Sequence, residues 1–118
     1  MSYDIELINP ETKEVMILDE KHDIQGGTYQ VGGTDRAELN ITYNYSSYFN
    51  KVLGEKGIRT IYGMVAEDSI PLLTHAIEQL DDKISEDYWE STEGNARCAL
   101  EKLILLAKLC PDGVWSGD

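Results

Sequence analysis

The chain has 118 residues, 42% hydrophobic and 27% charged, an ordinary composition for one globular domain spanning 1–118 with a real core. Its 22 acidic residues outnumber 10 basic ones, for a net charge of −12 and an isoelectric point near 4.4. That balance excludes nucleic-acid binding through a general electrostatic footprint. No run approaches the ~20 apolar residues of a membrane span. The opening MSYDIELINP lacks the basic-then-apolar order of a secretory leader, and without export the glycosylation patterns at Asn40 and Asn44 are accidental.

Residues 3–8 alternate, with Tyr3, Ile5 and Leu7 on one side and Asp4 and Glu6 on the other, which predicts a half-buried strand. A turn at 9–13 and a strand at 14–18 complete a first hairpin. After a polar loop at 19–27, a short strand at 28–31, a Gly32-Gly33 turn and an alternating strand at 37–43 make a second hairpin. Gly26-Gly27 and Gly32-Gly33 are turn formers. Neither pair precedes a helix or has the lysine of a phosphate loop.

From residue 44 the spacing becomes helical. Tyr45, Phe49, Val52 and Leu53 share a side, Asn44 or Ser46 can cap, and Gly54 ends the helix. The run at 58–62 fits a short helix or a connector. The second main helix covers 66–80, with Ala66, Ile70, Leu73, Ile77 and Leu80 as its buried stripe and Pro71 near its start, where a missing N–H costs least. Residues 81–91 form an acidic connector carrying Tyr88 and Trp89. The third helix fills most of 92–113. Thr92 caps it, Glu93 complements its dipole, and Pro111 and Gly113 stop it. Ala96, Ala99, Leu100, Leu103, Leu106, Ala107 and Cys110 share one face. Cys98, Leu105 and Leu109 make a second apolar line, and Ile104 falls on the polar side. That circumference predicts a helix covered on two or three sides by the rest of the chain. Val114-Trp115 folds back on the core, and 116–118 frays.

The fold class is therefore α+β: a small N-terminal antiparallel sheet of two hairpins packed on about three helices, the C-terminal one central. Cys98 and Cys110 lie twelve residues apart on one helix, ~18 Å along its axis at ~1.5 Å per residue, too far for a disulfide. No CxxC or clustered His/Cys spacing marks a metal site, and no cofactor is expected.

Charge is uneven along the chain. Residues 67–93 carry nine acids and one base, and residues 36–66 two acids and four bases. The leading functional expectation is a non-enzymatic binding or regulatory protein. Asp81, Asp82, Glu86, Asp87, Glu90 and Glu93 would supply steering, and Tyr88 and Trp89 contact energy, toward a partner protein with a basic surface. The alternative is a small-molecule or peptide-binding domain, or a small enzyme. Its pocket would lie beside Asn40, Tyr43 and Asn44, with His22 as a further candidate. His75, opposite the apolar stripe, is expected to be exposed.

GGTY at 26–29, NITYNY at 40–45, GIRTIYG at 57–63, DYW at 87–89 with TEGN at 92–95, and PDGVW at 111–115 with GD at 117–118 carry a resemblance. Across nearly its whole length the chain resembles a family of small uncharacterised acidic proteins encoded by bacteria, phages and prophages. The resemblance implies a bacterial or mobile-element origin and a cytoplasmic setting, and it brings no catalytic residue. In a phage setting, acidic binding would include mimicry of DNA phosphates or inhibition of a host defence. Such families place a Ser or Thr cap ahead of the second helix. This chain has Val65 there, which leaves the start of that helix open.

Overall fold

The computed structural model describes residues 2–22, 34–81, 83 and 92–117. Among them the chain forms strands β1 (Ser2–Ile8), β2 (Ile17–His22), β3 (Thr34–Arg36) and β4 (Glu38–Thr42). Helices α1 (Ser46–Leu53), α2 (Ala66–Glu78) and α3 (Glu93–Leu109) follow, then strand β5 (Val114–Gly117). Single 3-10 turns occupy Tyr43–Tyr45 and Gly57–Ile61. The architecture is α+β: a small antiparallel sheet with three helices packed on one of its faces.

β1 is the middle strand, in the order β4-β1-β5. Its alternation does what the sequence suggests. Tyr3, Ile5 and Leu7 point into the core and pair across the sheet with Ile41, Leu39 and Trp115. The first hairpin closes as a single bridge between Ile8 and Val15, its turn held by Asn9 Oδ1, which accepts from the N–H groups of Glu11 and Thr12. The chain then departs, and β2 pairs with β3 in a separate two-stranded ribbon. β4 takes the place beside β1, and the expected strand at 28–31 lies outside the described residues.

The C-terminal end differs from expectation. Ser116 and Gly117 do not fray. They belong to β5, paired to Glu6 and Ile5. The outer edge of β5 is in turn closed by residues 63–65. Gly63 N–H donates to Trp115 O, Trp115 N–H donates to Met64 O, and Val65 bridges Val114.

α3 starts as its sequence dictates, with Thr92 Oγ1 accepting from Asn95 N–H. Leu100, Leu103 and Leu106 are fully buried at its middle, each contributing about 1.5–3 kcal/mol of transfer free energy. α2 packs along it with Leu73, Ala76 and Ile77 inward. The second apolar line of α3 is not covered as expected. Leu105 and Leu109 are 44% and 52% exposed, and Ile104 is half-buried. Among the described residues, the neighbouring elements cover the Leu100/Leu103/Leu106 side fully and the other apolar line in part. The caps expected for α1 are also replaced: Thr42, not Asn44 or Ser46, accepts from Asn44 N–H, and it starts the 3-10 turn that leads into α1.

Candidate functional site

An open cleft of about 630 Å³ lies where β1, the Tyr43–Tyr45 turn, α1 and the Gly57–Ile61 turn converge. Tyr3, Tyr43, Ser46, Asn50, Glu55, Lys56 and Arg59 line it. Local sequence explains how these residues meet. Gly57 adopts φ +55°, and a Cβ there would fall 2.5 Å from Asn50 Oδ1 and 3.5 Å from Phe49 Cβ. The glycine therefore lets the turn press against α1. The 3-10 spacing buries Ile58 and Ile61 together and leaves Lys56 and Arg59, three apart, on the open side.

Arg59 crosses two tyrosines. Its guanidinium carbon lies 5.0 Å from the Tyr3 ring centre and 5.8 Å from that of Tyr43, and Nη2 donates to the Tyr43 hydroxyl at 3.3 Å. Such contacts contribute about 0.5–1 kcal/mol at exposed sites and fix a long side chain in place. The two rings meet edge to face, 4.5 Å apart. Burial pushes the Tyr3 phenol above the usual tyrosine range, and the Arg59 charge and a hydrogen bond with the Ser46 side chain pull part of the way back. The phenol stays neutral, with its hydroxyl engaged by Ser46.

Of the residues expected to form a pocket, Tyr43 lines this cleft. Asn40 does not. It lies on the opposite face of the sheet, where Nδ2 donates to Asp4 Oδ1 at 2.5 Å and to Ser2 Oγ at 2.8 Å, tying β4 to β1. Asn44 is exposed outside the cleft. His22 ends β2, and its side chain lies outside the described residues. Sequence reasoning missed Tyr3, Ser46, Asn50, Glu55, Lys56 and Arg59. The available signal was the excess of bases at 36–66 in an otherwise acidic chain.

The expected acidic surface is described only at its ends. Asp81 is exposed and accepts from Lys83 N–H at 2.9 Å. Glu93 opens α3 and pairs with Lys51 at 3.3 Å. Asp82, Glu86, Asp87, Tyr88, Trp89 and Glu90 lie outside the described residues. Behind Asp81, however, the whole of α2 lacks lysine and arginine, and Glu67, Asp68, Thr74, His75 and Glu78 are exposed along it. Glu67 N–H donates to Pro111 O, which brings exposed Asp112 to the same end. Among the described residues, the charges on α2 itself are thus all acidic, with Asp112, Glu67 and Asp68 at one end and Glu78 and Asp81 at the other, where Arg97 Nη1 donates to Leu80 O at 3.4 Å. Glu67 and Glu78 stand ~16 Å apart along the axis at ~1.5 Å per residue. α3 instead interleaves Arg97, Glu101, Lys102 and Lys108.

Both cysteines are free thiols. Burial pushes Cys98 and Cys110 up, with Glu101 and Asp112 respectively adding to it, so neither is held as a reactive thiolate. Among the described residues, no group of three or more His, Cys, Asp and Glu could hold a metal ion, and no helix is long and apolar enough to cross a membrane.

Compared with protein-family models, curated proteins and solved structures, the chain shows no match. Two surfaces stand out among the described residues: the acidic outer side of α2 and the cleft holding Lys56 and Arg59.

Proposed function

We propose that this chain is a non-enzymatic binding protein that engages a basic surface on a partner protein in the cytoplasm. The observation that carries this reading is the absence of any lysine or arginine from α2, whose exposed side presents Glu67, Asp68 and Glu78 and runs on to Asp81. Charges of one sign on a rigid helix steer an oppositely charged partner and raise its association rate. The strip continues in sequence into the acidic stretch at 82–93, where Tyr88 and Trp89 supply the contact area that charge alone lacks. The phage resemblance gives the narrow form of this reading, a mimic of DNA phosphates that occupies a nucleic-acid enzyme.

A lysine-rich peptide, titrated while backbone amides are followed by NMR, tests the reading. The expected shifts concentrate on α2, Asp81 and Glu93, and they weaken steeply as salt rises. Shifts spread equally over exposed Glu11, Glu14, Asp19 and Asp35 would mean that the charge only solubilises the protein.

A further inference from the structure

We propose that the cleft between β1, α1 and the Gly57–Ile61 turn is a receptor for the carboxylate group of a small organic acid, a second binding site separate from the acidic strip. The first support is charge placement. In a chain of net −12, residues 36–66 hold four bases and two acids, and two of those bases, Lys56 and Arg59, line this one cavity. They are there together because the turn repeats every three residues, with Arg59 N–H donating to Lys56 O at 3.1 Å.

The second support is preorganisation. Stacking on Tyr3 and Tyr43 and the bond to the Tyr43 hydroxyl hold the guanidinium plane before any ligand arrives. The ordering cost that binding would impose on a loose arginine is thereby largely removed. A planar fork of donors matches the two oxygens of a carboxylate, while Lys56 acts as a point charge beside it.

The third support is the remainder of the lining. The Tyr43 and Ser46 hydroxyls and the Asn50 amide are neutral donors, and the half-buried Tyr43 ring is an apolar wall for the body of the ligand. Glu55 sets the selectivity. A carboxylate in the lining, within a protein of strongly negative total charge, opposes a doubly charged phosphate more than a singly charged carboxylate.

The test is an NMR titration of the full chain at constant ionic strength with acetate, with its neutral isostere acetamide, and with inorganic phosphate. Acetate is expected to give saturable shifts at the Arg59 Nε–H and at the amides of Ser46 and Lys56. Acetamide should give none, and phosphate should bind more weakly than acetate. Arg59→Gln should weaken acetate binding about tenfold or more, as expected for lost hydrogen bonds to a charged group. Lys56→Gln should weaken it by a smaller factor of about threefold, and its exposed position keeps the fold intact if Arg59→Gln unfolds the chain. Absence of saturable acetate shifts, an equal response to acetamide, tighter binding of phosphate, or an unchanged acetate response in Lys56→Gln would each overturn the proposal.

Discussion

The two long helices begin in opposite ways. α3 supplies its own start: Thr92 accepts from Asn95 N–H, and Glu93 sits in the first turn. α2 is preceded by Val65, whose side chain can accept nothing. Its first N–H groups are satisfied instead by the end of the chain, with Ala66 N–H donating to Gly113 O at 2.8 Å and Glu67 N–H to Pro111 O at 3.1 Å. The same segment seats Trp115, whose indole N–H donates to Ser69 Oγ at 2.7 Å, while the Ser69 hydroxyl donates to Ala66 O. One helix end is local chemistry and the other is tertiary structure. The helix carrying the acidic strip is the one that depends on the tail.

Substitutions in the tail should break this arrangement with the largest effects. Trp115→Ala removes a side chain only 1% exposed and leaves Ser69 buried without its donor. Denaturant unfolding should show a loss of about 3–5 kcal/mol. Gly113→Ala comes next, because a Cβ there would fall 2.9 Å from Leu7 Cβ, and the backbone that caps α2 must move. A cost of about 1–3 kcal/mol is expected. At the locally capped helix, Thr92→Ala should cost about 1 kcal/mol. Val65→Ser, which adds the missing cap to α2, should change stability by less than about 0.5 kcal/mol, since one of the two N–H groups it could serve, that of Glu67, is already bonded.

A pH series sharpens the same contrast. Burial holds the Cys110 thiol above its ordinary 9.0, and Cys110 O accepts from Gly113 N–H in the turn that caps α2. Below pH 9 the thiol is protonated in both folded and unfolded chains, and its contribution is fully present. Above pH 9 the unfolded chain releases its proton first, so stability is lost as pH rises through the folded value. The melting temperature of the wild type should fall more between pH 8 and pH 10.5 than that of Cys110→Ala. Equal slopes would show that the thiol takes no part.

Much of the fold was legible because its signals are local. The Tyr3/Ile5/Leu7 alternation marks β1, the Leu100/Leu103/Leu106 spacing marks the core line of α3, and Thr92 and Gly54 mark helix ends. What stayed hidden depends on partners remote in sequence. Nothing near Val114 announces pairing with β1, and nothing near Val65 announces a cap from Gly113. A helical wheel shows Leu105 and Leu109 as apolar but cannot show that they stay half exposed. The cleft was half legible. Tyr43 could be singled out from its polar neighbours, but Arg59 lies over Tyr3 only because the Gly57 turn folds onto α1.

Amide hydrogen exchange at Ala66 and Glu67 bears most directly on the claim that the tail holds α2. Protection comparable to that of Asn95 in the wild type, lost selectively at these two amides in Gly113→Ala, is the expected result. Rapid exchange of both in the wild type, or protection that survives in Gly113→Ala, would contradict it.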